Sequence, residues 1–108
     1  MTGDLGAALR YAAAAYRICR AVRPDHPYTA ACAVNHAAAL RALGRHDEAL
    51  QADLDGVRLF QDRLGPDHPY TLAAQTDVAS DLAGLGRTAE TAELGADTLA
   101  RLRRARGG

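Results

Sequence analysis

Apolar side chains recur at helical spacing in two stretches of this chain that are related by a shift of 42 residues. The positions that match are Ala31, Ala37, Leu40 and Leu43 in the first stretch and Ala73, Ala79, Leu82 and Leu85 in the second. Steps of three and six residues place such side chains on one side of an α-helix and disfavour the two-residue alternation of a β-strand. The pattern therefore predicts a helix in each stretch.

Prolines and glycines mark where these helices begin and end. Pro27 and Pro69 suit a first helical turn, where a missing N–H is no loss, and either member of the Asp-His pair before each proline can act as the N-cap. Gly44 and Gly86 suit the left-handed conformation that ends many helices. Acidic side chains follow each glycine in the first turn of the next helix, where the helix dipole stabilises a negative charge. We predict an all-α chain with five helices, at 5–22, 27–43, 46–64, 69–85 and 88–105.

The hexapeptide from Pro24 to Thr29 recurs residue for residue from Pro66 to Thr71. A repeat with a period of this length is typical of a solenoid, in which each unit is a supersecondary element that stacks on its neighbours. We divide the chain into repeats at 24–65 and 66–107, preceded by a half repeat at 3–23 that aligns with the second half of a unit. The short connections predict antiparallel helix hairpins within one domain, 1–108.

The repeat resembles a known family. Gly-Pro-Asp-His-Pro, an alanine-rich helix, Leu-Gly-Arg and Asp-Glu-Ala-Leu are similar to the 42-residue tetratricopeptide repeat of the kinesin light chain type, which is widespread in bacterial regulatory proteins. The resemblance implies a right-handed superhelix whose first helices line a concave groove for a peptide or a partner helix. It therefore points to a scaffold for protein–protein interactions.

Six residues are candidates for contacts in that groove: Tyr28, Asn35, Ala39, Tyr70, Asp77 and Asp81. In similar repeats an asparagine at the position of Asn35 hydrogen-bonds the backbone of a bound peptide, and Asp77 takes this position in the second repeat. The alternatives stay open, because Asn35 could be a solvated surface residue and each tyrosine could pack on the adjoining helix. Asp77 and Asp81 share a helix face at a spacing of four, so they either receive basic side chains of a partner or form a solvated acidic face.

Charge and composition argue against several classes of function. The formal net charge is zero, so no overall field attracts nucleic acid or an anionic membrane. The chain has many alanines and no lysine, which indicates a bacterial coding bias, and the absence of an export signal predicts a cytoplasmic protein. No catalytic, phosphate-binding or metal-ligand motif stands out. We therefore expect no enzyme activity, no cofactor and no metal.

Two features concern association. Cys19 and Cys32 can face each other across a helix hairpin, and the sequence leaves open whether they are free buried thiols or a disulfide. The first helix carries more apolar side chains than one hairpin partner can cover. This surplus favours a homo-oligomer formed through the end helices. Self-association of this kind, or service as a sensor segment within a larger bacterial signalling ATPase of the STAND type, is the alternative to a peptide-binding scaffold.

Overall fold

A computed structural model describes residues 4–107, and the regular elements in this range are five α-helices. They are α1 (Leu5–Val22), α2 (Pro27–Ala42), α3 (His46–Leu64), α4 (Pro69–Gly84) and α5 (Thr88–Gly107). The helical prediction is confirmed, with small differences at three C-termini. Gly3, where the predicted half repeat begins, lies outside the described residues.

The histidine of the repeated hexapeptide is the N-cap of the helix that follows it. The Nδ1 atom of His26 accepts a hydrogen bond from the backbone N–H of Tyr28, and His68 accepts one from Tyr70, both at 3.0 Å. An N-cap side chain satisfies one of the free N–H groups of a first helical turn. Of the two candidate caps in each Asp-His pair, the structure selects the histidine.

The threonine of the hexapeptide ties each helix start to the end of the preceding helix. The hydroxyl of Thr29 donates to the carbonyl oxygen of Arg23 at 2.5 Å, and that of Thr71 donates to the carbonyl oxygen of Gly65 at 2.8 Å. Both threonines are buried. The recurrence of the hexapeptide is therefore explained by one connector geometry that the chain uses twice.

The two first helices of the repeats also end in the same way. Gly44 and Gly86 have φ values of 78° and 75°, a left-handed conformation that glycine adopts without steric cost. The backbone N–H of the next residue, Arg45 or Arg87, donates to a carbonyl of the last helical turn at 2.9 Å. These bonds fit a Schellman-type helix end, which places the last helical residue one position before the predicted 43 and 85.

Each helix packs on the helix before it, and α3 lies at the centre, between α2 and α4. The main core cluster draws its large side chains from α3 and α4 and consists of Ala30, Leu50, Val57, Phe60, Ala74, Val78 and Leu82. The two edge helices contribute little to the core, because each buries one residue, Tyr16 on α1 and Thr98 on α5.

Gly56 allows α2 and α3 to approach closely. A Cβ atom at this position would lie 2.9 Å from a methyl group of Val34 and 3.3 Å from the carbonyl oxygen of Ala30. Contacts of 2.9 Å are shorter than a carbon pair tolerates. The glycine is therefore required by the packing of this helix pair.

Cys19 on α1 and Cys32 on α2 are free thiols whose Sγ atoms lie 3.3 Å apart. The expectation that they face each other across the first hairpin is confirmed. In the described range, none of the helices combines the length and the apolar character that crossing a bilayer requires.

Candidate functional site

A pocket of about 320 Å³ opens between α2 and α4. These two helices contact each other and both pack on α3. The pocket is lined by Ala31, Val34 and Asn35 from α2, Phe60 from α3, and Tyr70, Ala73, Ala74 and Asp77 from α4. Because three of these side chains are alanines, the two helices lie close together and still leave space over the ring of Phe60.

The floor and the rim of the pocket differ in character. Phe60 is buried, and its ring centroid lies 5.9 Å from that of Tyr70, which is 62% exposed. Asn35 is exposed, and the side chain of Asp77 is 33% exposed. The pocket thus combines an apolar floor with one aromatic ring, one amide and one carboxylate at its edge, a composition typical of ligand-binding concavities.

The structure brings together three of the six candidate residues. Asn35 of α2 lines the pocket together with Tyr70 and Asp77 of α4. Tyr28 and Ala39 are not among the lining residues. Tyr28 is 59% exposed at the start of α2, and Ala39 is half-buried.

The prediction that Asp81 lies in the groove is wrong. Its side chain is fully buried, so it neither contacts a ligand in the groove nor forms a solvated acidic face with Asp77. The reason is Arg41 of α2, whose Nη1 atom lies 2.7 Å from Oδ1 of Asp81. An internal guanidinium therefore occupies the position that we assigned to a basic side chain of a partner.

Arg41 links three helices through a charge cluster that the sequence did not reveal. Besides Asp81 of α4, its Nη1 atom donates to Oδ2 of Asp53 of α3 at 3.0 Å, and its Nη2 atom lies 3.9 Å from Oδ1 of Asp77. Asp53 is fully buried. One signal was available, because Asp53 lies three residues after Leu50 and four before Val57, on the apolar face of α3.

The two buried carboxyls do not both carry a charge at neutral pH. Burial, together with the hydrogen-bonding contact and the charge of Asp81, raises the pKa of Asp53 to about 9, and Arg41 opposes the shift. Both carboxyls accept from the same guanidinium nitrogen of Arg41, and two carboxylates that share one cation in a buried site cannot both ionise without cost.

Asp77 is the third carboxyl near the guanidinium of Arg41. Burial raises its pKa, Arg41 lowers it and Asp81 raises it. Its separation of 3.9 Å from Arg41 is too long for a hydrogen bond. Three carboxyls thus surround one guanidinium, and Asp77 is the one of them that lines the pocket. Across residues 4–107 no three His, Cys, Asp or Glu side chains are grouped to hold a metal ion.

A family model described as tetratricopeptide repeat matches residues 1–62 and 34–104. The chain belongs to the tetratricopeptide repeat family. Repeats of this family generally mediate protein–protein interactions, and the helical hairpins described above are the fold that the family implies. No curated protein matches the chain.

Proposed function

We propose that the chain binds a segment of a partner protein in the groove between α2 and α4 and performs no chemistry of its own. The observation that supports this is the pocket itself, in which Asn35, Tyr70 and Asp77 surround an apolar floor. Apolar burial on the floor supplies affinity, and the few polar groups at the edge supply orientation. Asn35 would donate to or accept from the backbone of the bound segment.

We further propose that the bound segment carries an arginine or lysine that enters this pocket. The alanines and Phe60 contact the aliphatic part of the side chain, and the charged end lies against the carboxylate of Asp77. The ring of Tyr70 offers a cation–π contact. The carboxyl of Asp77, which lines the pocket and is too far from Arg41 for a hydrogen bond, supports a cation in preference to an acidic or neutral side chain.

The test begins with the selection of peptides from a random displayed library on the immobilised protein. We expect selected peptides to share a basic residue next to aliphatic ones. Titration calorimetry then compares the wild type with Asn35→Ala, Tyr70→Ala and Asp77→Asn. Loss of a charge-assisted contact should weaken binding by about tenfold, or about 1.4 kcal/mol.

Gln51→Ala is the matched control, because this side chain is exposed on α3 and does not line the pocket. It should bind as the wild type does. If all three pocket variants keep the wild-type affinity, the groove assignment is wrong. If Asn35→Ala and Tyr70→Ala weaken binding and Asp77→Asn does not, the groove remains and the basic side chain is rejected.

A second proposal is self-association through α1. Four large apolar side chains of this helix are exposed, namely Leu5, Tyr11, Ile18 and Val22. When one helix exposes four large apolar side chains, contact with another protein surface is favoured because it removes them from water. Sedimentation equilibrium tests the proposal, because Ile18→Glu should dissociate a dimer, whereas a strictly monomeric wild type contradicts it. Service as the sensor segment of a larger STAND-type ATPase is a further variant of this proposal.

The finer classification also remains a proposal. The 42-residue period and the repeated Asp-His-Pro support the kinesin light chain type. The abundance of alanine and the use of arginine without lysine support a bacterial origin, and we propose a cytoplasmic location.

A further inference from the structure

The contact between the two thiols is independent of the groove. Cys19 and Cys32 come from different helices, lie 13 residues apart in the sequence, and have their Sγ atoms 3.3 Å apart. A disulfide bond needs about 2.05 Å between the sulfur atoms. The two sulfur atoms must therefore approach each other by roughly 1 Å across the α1–α2 hairpin for the bond to form.

The two thiols differ in access. Cys19 is half-buried, whereas Cys32 is 5% exposed and packs with Tyr16 and Ala33. Burial and the contact with Cys19 raise the pKa of the Cys32 thiol to about 11. The greater exposure of Cys19 lets a reagent from solution reach it first, and the short distance between the two sulfur atoms places Cys32 beside whatever Cys19 becomes.

We propose that Cys19 and Cys32 form a reversible disulfide with a small-molecule disulfide, such as oxidised glutathione, as the oxidant. The Cys19 thiolate attacks one sulfur of the oxidant, and a mixed disulfide forms as one glutathione thiolate leaves. Cys32 then gives up its proton and its thiolate attacks the Cys19 sulfur, and the second glutathione leaves as a thiolate that takes up this proton. Two thiols of the protein are oxidised and one disulfide of the oxidant is reduced.

The cross-link would fix the edge helix α1 on the rest of the array. α1 packs on α2 and buries one side chain, Tyr16, whose hydroxyl donates to Asp55 of α3 at 3.2 Å. A covalent link between α1 and α2 removes conformations from the unfolded chain and stabilises the folded one. Oxidation therefore ties the first helix covalently to the second for as long as the disulfide persists.

The experiment treats the reduced full chain with oxidised glutathione and follows the intact mass. We expect a final product that lacks two hydrogen atoms, with a disulfide that joins the tryptic peptides 18–20 and 21–41. Its melting temperature should rise by roughly 5–15 °C and return to the starting value after dithiothreitol. A stable glutathione adduct as the end product, a disulfide between two chains, or two thiols that stay free would overturn the proposal.

Two variants separate the roles of the thiols. Cys32→Ser should stop at the glutathione adduct on Cys19, and Cys19→Ser should leave Cys32 unmodified while the chain is folded. Serine is close to cysteine in size, and circular dichroism checks that each variant remains helical. If Cys32 of the folded Cys19→Ser variant reacts as fast as Cys19 does, the assigned order is wrong. The wild-type time course decides the proposal even if one variant fails to fold.

Discussion

Asp53 has no exposed surface on the core face of α3, and its carboxyl shares Arg41 with Asp81. Burial, with a further contribution from Asp81, raises its pKa to about 9, whereas an unfolded aspartate titrates near pH 4. The folded protein therefore holds a proton that the unfolded chain releases above about pH 4. The stability that this proton contributes is complete below that pH and is lost as the pH rises towards 9.

The variant Asp53→Asn tests this, because an amide keeps the shape and does not titrate. Between pH 7 and pH 9 we expect the wild-type free energy of unfolding to fall by up to about 1.4 kcal/mol per pH unit and the variant to lose this slope. His36, whose pKa is lowered by burial, and Cys32, whose pKa is raised by burial, are present in both proteins, so their contributions cancel when the two slopes are compared. Urea denaturation at several pH values measures both slopes.

The exposed Asp62 supplies the control for this experiment, since Asp62→Asn should keep the wild-type slope. Equal slopes in the wild type and in Asp53→Asn would contradict the assignment of the buried proton.

The sequence predicts the groove residues better than the charge cluster, and the physical reason is locality. Asn35 and Asp77 occupy equivalent positions of the two repeats, so helical spacing alone places them on matching faces. The cluster of Arg41 joins three helices through side chains that have no counterparts in the repeat, because Asp81 aligns with Ala39. Spacing within α4 put Asp81 on the same face as Asp77, but it did not show that a side chain of α2 would cover it.

At the scale of helices, the strongest predictions were the ends that local chemistry determines. Pro27 and Pro69 begin α2 and α4 as predicted, because proline in the first turn costs no hydrogen bond. The C-terminus of α5 was predicted at 105 and lies at Gly107. No glycine or proline precedes that position closely enough to end the helix, and an arginine-rich last turn favours its continuation.

Two helical glycines should respond in opposite ways to alanine. Gly56→Ala forces a methyl group against Val34 and the Ala30 carbonyl and should destabilise the fold by about 1–3 kcal/mol. Gly95→Ala on α5 meets no atom within 4 Å and should stabilise it by about 0.5–1 kcal/mol, because alanine favours helix. Chemical denaturation of both variants measures the difference, and equal effects at the two positions would show that helix propensity alone controls them.

At the scale of the whole molecule, stability is distributed unevenly along the array. In a solenoid each element is stabilised mainly by its immediate neighbours. α3 has a helix on either side, whereas α5 packs on α4 alone and leaves Leu99 and Leu102 exposed. The other edge helix, α1, has an additional attachment to α3 through the hydroxyl of Tyr16.

Hydrogen exchange of backbone amides should therefore be slowest in α3, intermediate in α1 and fastest in α5, because local opening costs least where few apolar contacts are lost. Mass spectrometry of exchanged and digested protein resolves the three helices. Gly95→Ala should slow exchange in α5 and leave α3 unchanged, which distinguishes local opening of this helix from unfolding of the whole chain. The contrary result is equally slow exchange in α5 and α3. It would mean that the five helices unfold as one unit, and that one neighbouring helix stabilises α5 as fully as two stabilise α3.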